Sequence, residues 1–274
     1  MKQTNQIYVG SNNRKSLYDL SIPENFNNHI VLLIHGYKGF KDWGAWNLME
    51  QQFVQNGYGF CKFNLSHNGG TTDQPMDFPD INAFANNCFS YQVFDTKAMI
   101  SLLTKQFPQA KIELLGHSRG GAVAMLCANE EKVQAVITMA SVCSFKKRFE
   151  NKNLEQWKKN GVRFELNSRL NIEMPQNYSI LEDFLAHEKE LDVENPARKL
   201  QKPCLHFHGS NDTSIDISEA IDLASWSKSP LYVVENANHT FNITHPWHEK
   251  KLSNELQFVV DQSLHFLNNT TFNV

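Results

Sequence analysis

Short apolar runs bounded by turn-forming residues alternate along this chain with longer stretches whose apolar positions recur every three to four residues. The runs at 29–34, 59–64, 111–115, 133–139, 203–208 and 231–235 predict strands, and their near-continuous apolar character predicts burial on both faces. Between them, 46–55, 83–106, 120–129, 218–227 and 246–266 predict helices. This alternation is the pattern of an α/β domain with a mostly parallel central sheet flanked by helices. At the front, 6–10 and 15–21 predict an antiparallel hairpin across the turn-prone Ser11, Asn12 and Asn13.

One segment breaks the rhythm. From Ser144 to Arg198 the chain is charged and amide-rich, with short apolar clusters such as Ile180, Leu181, Phe184 and Leu185. It predicts an insertion of short helices over the sheet. The expected organisation is therefore a core of residues 1–143 and 197–274 with a lid at 144–196. No internal repeat or low-complexity tract is visible.

Composition narrows the function classes. The 274 residues carry 26 Lys and Arg against 29 Asp and Glu, a net charge of −3 that gives no basis for steering toward a polyanion, so nucleic acid is not an expected partner. With 41% hydrophobic and 20% charged residues the chain is a globular one. No apolar run approaches the ~20 residues that span a bilayer, and residues 1–10 contain no apolar h-region, so neither a membrane span nor a secretory signal is expected. Five cysteines, odd in number and mostly inside apolar segments, predict buried thiols in a reducing, cytoplasmic compartment.

The strand at 111–115 runs into Gly116-His117-Ser118-Arg119-Gly120, which then opens an apolar helix. A GxSxG pattern in strand-turn-helix context holds its serine out at the end of the sheet, making Ser118 the candidate nucleophile. The same turn sets the Arg119 N–H at the start of a helix, where it can stabilise a developing oxyanion. The competing reading is a small-residue turn with Ser118 as an N-cap. Another strand runs into His35-Gly36-Tyr37-Lys38-Gly39, whose Tyr37 N–H is the candidate second donor. That loop could equally be an ordinary glycine-rich turn, but it lacks the spacing of a phosphate-binding loop or a dinucleotide fingerprint.

A serine hydroxyl needs an imidazole to take its proton and a carboxylate to hold that imidazole in one tautomer. Asp212 follows the 203–208 strand and His239 follows the 231–235 strand, so both fall at the C-terminal edge of the sheet where α/β active sites form. The chain order Ser, Asp, His fits such a triad. Asp216 competes as the acid, though it sits where a helix begins; Glu235 reads as a strand-end charge, His245 and His248 as surface or capping residues, and His117 as packing within the turn. His206, His208 and Asp212 together hint at a metal site, but an isolated HxH is weak evidence and no metal or other cofactor is expected.

These residues resemble the α/β hydrolase superfamily from about Ile30 to Phe266, on the marks HGYKGF, GHSRGG, HGSND and NHTF, each in order and each at a strand end. The chain is most similar to compact intracellular esterases and serine aminopeptidase-like or prolyl-oligopeptidase-like hydrolases with a small lid. The resemblance implies the α/β hydrolase fold, Ser118 as nucleophile, Asp212 as acid, His239 as base, and Tyr37 and Arg119 as oxyanion donors. His208 corresponds to a position that is usually structural. Many relatives carry an acidic-Arg-Gly-His-Gly segment after the second strand, where this chain has Asn64-Leu65-Ser66-His67-Asn68-Gly69-Gly70, so the resemblance does not carry substrate preference.

The expected activity is hydrolysis of a small carboxylic ester through an acyl-enzyme. The same groups can cut amides or thioesters, which keeps an aminopeptidase, amidase or thioesterase as the alternative. A non-catalytic binding module and a metal hydrolase are more remote. Trp43, Trp46, Phe78, Phe84, Phe89 and Tyr91 predict either core or an apolar acyl or aryl site near the mouth.

Overall fold

The computed structural model describes residues 1–150 and 152–271. The chain starts with the antiparallel pair β1 (Lys2–Val9) and β2 (Lys15–Ser21), then runs through β3 (His29–Ile34), α1 (Trp46–Gln55), β4 (Gly59–Phe63), α2 (Ile81–Ala85), α3 (Phe89–Gln106), β5 (Lys111–His117), α4 (Arg119–Cys127) and β6 (Val133–Met139). An insertion follows with α5 (Leu154–Asn160), β7 (Val162–Asn167), β8 (Ile172–Asn177), α6 (Ser179–Ala186) and α7 (Glu194–Arg198). The chain returns to the sheet as β9 (Cys204–Gly209), α8 (Ile217–Ser227), β10 (Leu231–Val234) and α9 (Asn254–Thr271).

The main sheet has the order β1-β2-β4-β3-β5-β6-β9-β10, and every pair from β4 to β10 is parallel. Along β3, Ile30, Leu32 and Ile34 join one buried cluster while Val31 and Leu33 join another. Side chains alternate faces in a strand, so both sides of this sheet are covered, which is why the run reads as continuously apolar. The parallel register aligns Ile34 with Gly116, His117 with Met139, and Val234 with Gly209, so the strand ends that carry the candidate residues share one edge.

Three expectations need correction. The helix expected over 83–106 is broken into α2 and α3, because Asn86 ends α2 and Asn87 accepts from the Gln92 side-chain amide at 2.9 Å, local bonds that compete with continuous helix. The helix expected from 246 begins at Asn254, where the Ser253 hydroxyl accepts the Leu256 N–H at 3.1 Å and donates to the Phe241 carbonyl at 2.6 Å, ordering the start.

The insertion is not simply helical. β7 and β8 form an antiparallel hairpin pairing Val162 with Asn177 and Asn167 with Ile172. It is anchored by Met174, buried with Phe78 and Phe84, and by the Trp157 indole N–H donating to the Gln176 carbonyl at 2.9 Å. Among the described residues, no helix is long and apolar enough to cross a membrane.

Candidate active site

Ser118 occupies the turn between β5 and α4 with φ 56° and ψ −120°, a conformation that side chains rarely adopt. The turn is tight enough that a Cβ on Gly116 would lie 2.3 Å from the Gly120 carbonyl oxygen, and one on Gly120 would lie 2.2 Å from the Ile34 carbonyl oxygen. The two glycines of the motif are therefore required by close backbone approach. The Ser118 N–H is fixed by donating to the Met139 carbonyl at 2.8 Å.

The structure brings Ser118, His239 and Asp212 together. His239 Nε2 stands 3.0 Å from Ser118 Oγ, and His239 Nδ1 stands 2.8 Å from Asp212 Oδ2. Asp212 Oδ1 accepts the N–H groups of Ser214 and Ile215 at 2.8 and 3.0 Å. Burial works against the Asp212 charge, but the hydrogen bond and charge of His239 and those two N–H donors outweigh it and hold the carboxyl below its ordinary value. A carboxylate so held leaves Nδ1 protonated and Nε2 free to accept a proton from the serine hydroxyl.

The loop after β3 reaches the same point: a Cβ on Gly36 would lie 2.9 Å from Ser118 Cβ. Sequence reasoning missed what His35 does here. Its Nε2 accepts the Leu65 N–H at 3.1 Å, so its proton sits on Nδ1 and is donated to the Gly36 carbonyl at 2.9 Å. That carbonyl shares its peptide plane with the Tyr37 N–H. His35 is neutral, its pKa pushed down to about 4 by burial. The Arg119 N–H, at the first position of α4, precedes any intrahelical acceptor and is unclaimed by the helix.

The other candidates have structural partners. Asp216 caps α8 by accepting the Ser218 N–H at 2.9 Å. His117 Nε2 lies 2.9 Å from the His239 carbonyl, and its ring is 5.7 Å from that of Trp46; burial pushes its pKa down to about 3. His206 bonds Thr138 at 2.7 Å and Ser227 at 2.9 Å, and His208 bonds the Ile215 carbonyl at 3.0 Å. Among the described residues, no group of His, Cys, Asp or Glu is arranged to hold a metal ion. His245 accepts the Gly44 N–H at 2.9 Å.

Two cavities meet at Ser118 and His239. One, about 280 Å³, is lined by Trp43, Trp46, Tyr37, Gly36 and the hairpin residues Asn167 to Arg169. The other, about 610 Å³, is lined by Arg119 and by side chains of β7, β8 and the segment after β6. Of the aromatics noted in the sequence, Trp43 and Trp46 reach the first cavity, whereas Phe78 and Phe84 pack under Tyr37 and the hairpin. Phe89 stacks on Phe145 at 4.1 Å, and Tyr91 lies against His67 at 4.7 Å. The Tyr37 ring stacks on Phe84 at 5.1 Å, and its hydroxyl receives a hydrogen bond from Gln176 at 2.5 Å, tying the loop after β3 to β8.

Residues 27–191 match the profile of the family described as serine aminopeptidase, S33. No curated protein matches the chain in sequence. Among solved structures, Est1E from Butyrivibrio proteoclasticus with ferulic acid bound is similar with a TM-score of 0.74 at 14% identity, over 97% of this chain and 99% of that one. A putative hydrolase from Agrobacterium vitis S4 is similar with a TM-score of 0.69 at 16% identity, over 98% of each chain. The esterase domain of a Rhodothermus marinus protein has a TM-score of 0.65 at 17% identity, again over 98% of each. At these identities the likeness is one of fold, that of α/β hydrolases.

Proposed function

From a chain that belongs to the serine aminopeptidase, S33, family and is thereby a serine hydrolase of the α/β fold, we propose an esterase that cleaves small carboxylic esters through an acyl-enzyme. Ser118 Oγ attacks the carbonyl carbon as His239 Nε2 takes the hydroxyl proton, and Asp212 holds the imidazolium in place. The Tyr37 and Arg119 N–H groups stabilise the tetrahedral oxyanion. His239 then returns the proton to the departing alcohol. Water activated by the same imidazole attacks the acyl-enzyme and releases the acid. No cofactor takes part.

The observation that carries this reading is the unbroken hydrogen-bonded line from Ser118 Oγ through His239 to Asp212. The hairpin residues lining both cavities support residues 144–196 as a cap over the core of 1–143 and 197–274. Five free, buried cysteines support a cytoplasmic location.

The family description favours a second reading, an aminopeptidase or amidase using the same groups. Matched p-nitrophenyl ester, thioester and aminoacyl-anilide substrates separate the readings. The ester is expected to show the highest kcat/KM, and Ser118→Ala to abolish its turnover. Preferential cleavage of the anilide would favour the aminopeptidase, and unchanged turnover in Ser118→Ala would reject the nucleophile.

A further inference from the structure

The larger cavity at Ser118 is basic, and its charges are unevenly paired. Arg148 pairs with Glu219, and Lys147 approaches Asp222 at 3.3 Å, both carboxylates on α8. Arg163 and Lys152 share Glu165 at 3.2 and 3.9 Å. The Lys38 ammonium donates to the Leu166 carbonyl at 2.9 Å. Among the described residues, no carboxylate forms an ion pair with the Arg119 guanidinium and no acceptor takes its N–H groups; the Glu165 charge, already shared by Arg163 and Lys152, acts on it only at longer range. It rests instead over the rings of Tyr37 at 4.1 Å and Phe89 at 4.9 Å.

The guanidinium is half-buried, so it keeps part of its hydration, and ring faces replace only part of what is lost. Burial lowers the Arg119 pKa to about 10, which leaves it charged at neutral pH. Its N–H donors have unfilled capacity, and the same cavity is lined by Ser118 and His239. Stacking on Tyr37 fixes the guanidinium beside the loop that carries the Tyr37 N–H. A planar carboxylate is the acceptor that such a fork of donors matches best.

We propose that Arg119 is a specificity residue whose side chain binds a carboxylate on the substrate, so that the preferred substrates are acidic esters, with an apolar portion in the Trp43 and Trp46 cavity and an anionic portion in the basic one. The inference rests on the esterase reading and names its substrate class. The backbone and side chain of Arg119 then have separate tasks, the N–H toward the oxyanion and the guanidinium toward the distal anion.

The test uses matched ester pairs that differ in one charge. Hydrogen glutarate and pentanoate esters of p-nitrophenol place the charge on the acyl side; p-butyryloxybenzoate and its methyl ester place it on the alcohol side. The acidic member of at least one pair is expected to have about tenfold higher kcat/KM or more, with added salt eroding the advantage. In Arg119→Gln the ratio of acidic to neutral kcat/KM falls by a similar factor, and Arg119→Lys restores part of it. Absence of charge preference in both pairs overturns the inference even if the variants fail to fold, as does an equal loss on both members in Arg119→Gln. A chain that hydrolyses the neutral esters without preference loses only the anion site. One that hydrolyses none of them and resists fluorophosphonate labelling loses the esterase reading as well.

Discussion

His35 Nδ1 donates to the Gly36 carbonyl oxygen at 2.9 Å, and this bond fixes the peptide plane that carries the Tyr37 N–H, the proposed oxyanion donor. The Gly39 N–H reaches the same oxygen at 3.1 Å, so the plane is held from two sides. Loss of one oxyanion donor costs about 10²–10³ in kcat, and a misaimed donor costs less. His35→Leu is therefore expected to lower kcat about 10- to 100-fold with little change in KM. Thermal stability falls too, because the Leu65 N–H loses its acceptor. His35→Gln, which restores a side-chain donor, recovers part of the rate. An unaltered kcat in His35→Leu would separate the Gly36–Tyr37 peptide from catalysis.

In the proposed mechanism Asp212 orients His239, and Asp212→Asn keeps an oxygen for the Ser214 and Ile215 N–H groups, so the variant is expected to preserve the fold while letting the imidazole take the wrong tautomer. Turnover of an activated ester should drop by about a thousandfold or more. Circular dichroism and melting temperature establish that the variant is folded. A drop of only a fewfold would point to another orienting acid.

The strain at Ser118 makes a stability prediction that runs against ordinary propensity. A non-glycine residue at this φ and ψ costs about 1–3 kcal/mol, which glycine largely avoids. Ser118→Gly is expected to melt a few degrees above Ser118→Ala, although alanine is the better residue in regular helix. Both variants should be inactive. If alanine gives the higher melting temperature, the turn carries no such strain.

Burial pushes His35, His67 and His206 down to about 4 and His117 to about 3. Their ordinary value is about 6.5, so below that pH the unfolded chain binds protons that the folded chain refuses. Stability is therefore full above about pH 6.5 and falls as the pH drops toward the folded values, with a limiting slope of about 1.4 kcal/mol per pH unit for each group. Asp95, pushed up to about 6 by burial, and Glu113, also raised by burial, oppose this but are fewer than the imidazoles. Urea unfolding should give clearly lower stability at pH 5 than at pH 7.5. Equal stability at the two values would mean that these imidazoles titrate in the folded chain.

The parallel sheet and the three residues that meet at its edge are legible in the sequence because each depends on short-range signals. Ser118, Asp212 and His239 each follow an apolar run, and parallel strands of one sheet end on one side. The β7–β8 hairpin escapes this reading. Its apolar positions, Phe164, Leu166 and Ile172, remain exposed, and its anchors are single residues, Met174 and Trp157, in contact with distant segments. Likewise, HGYKGF marks a candidate oxyanion loop, but the sequence does not say which nitrogen of His35 bears the proton. That follows from Leu65, thirty residues away. The Arg119 side chain illustrates the same limit, since its resting place over Tyr37 and Phe89 depends on how two other elements pack.

The central claim is that Ser118 is a nucleophile activated by His239. Treatment of the folded protein with a fluorophosphonate, followed by peptide mass spectrometry, tests it most directly. The account predicts one phosphonyl adduct on Ser118, lost in Ser118→Ala and strongly slowed in His239→Gln. An unlabelled protein, or an adduct on a different residue that persists in Ser118→Ala, would contradict it.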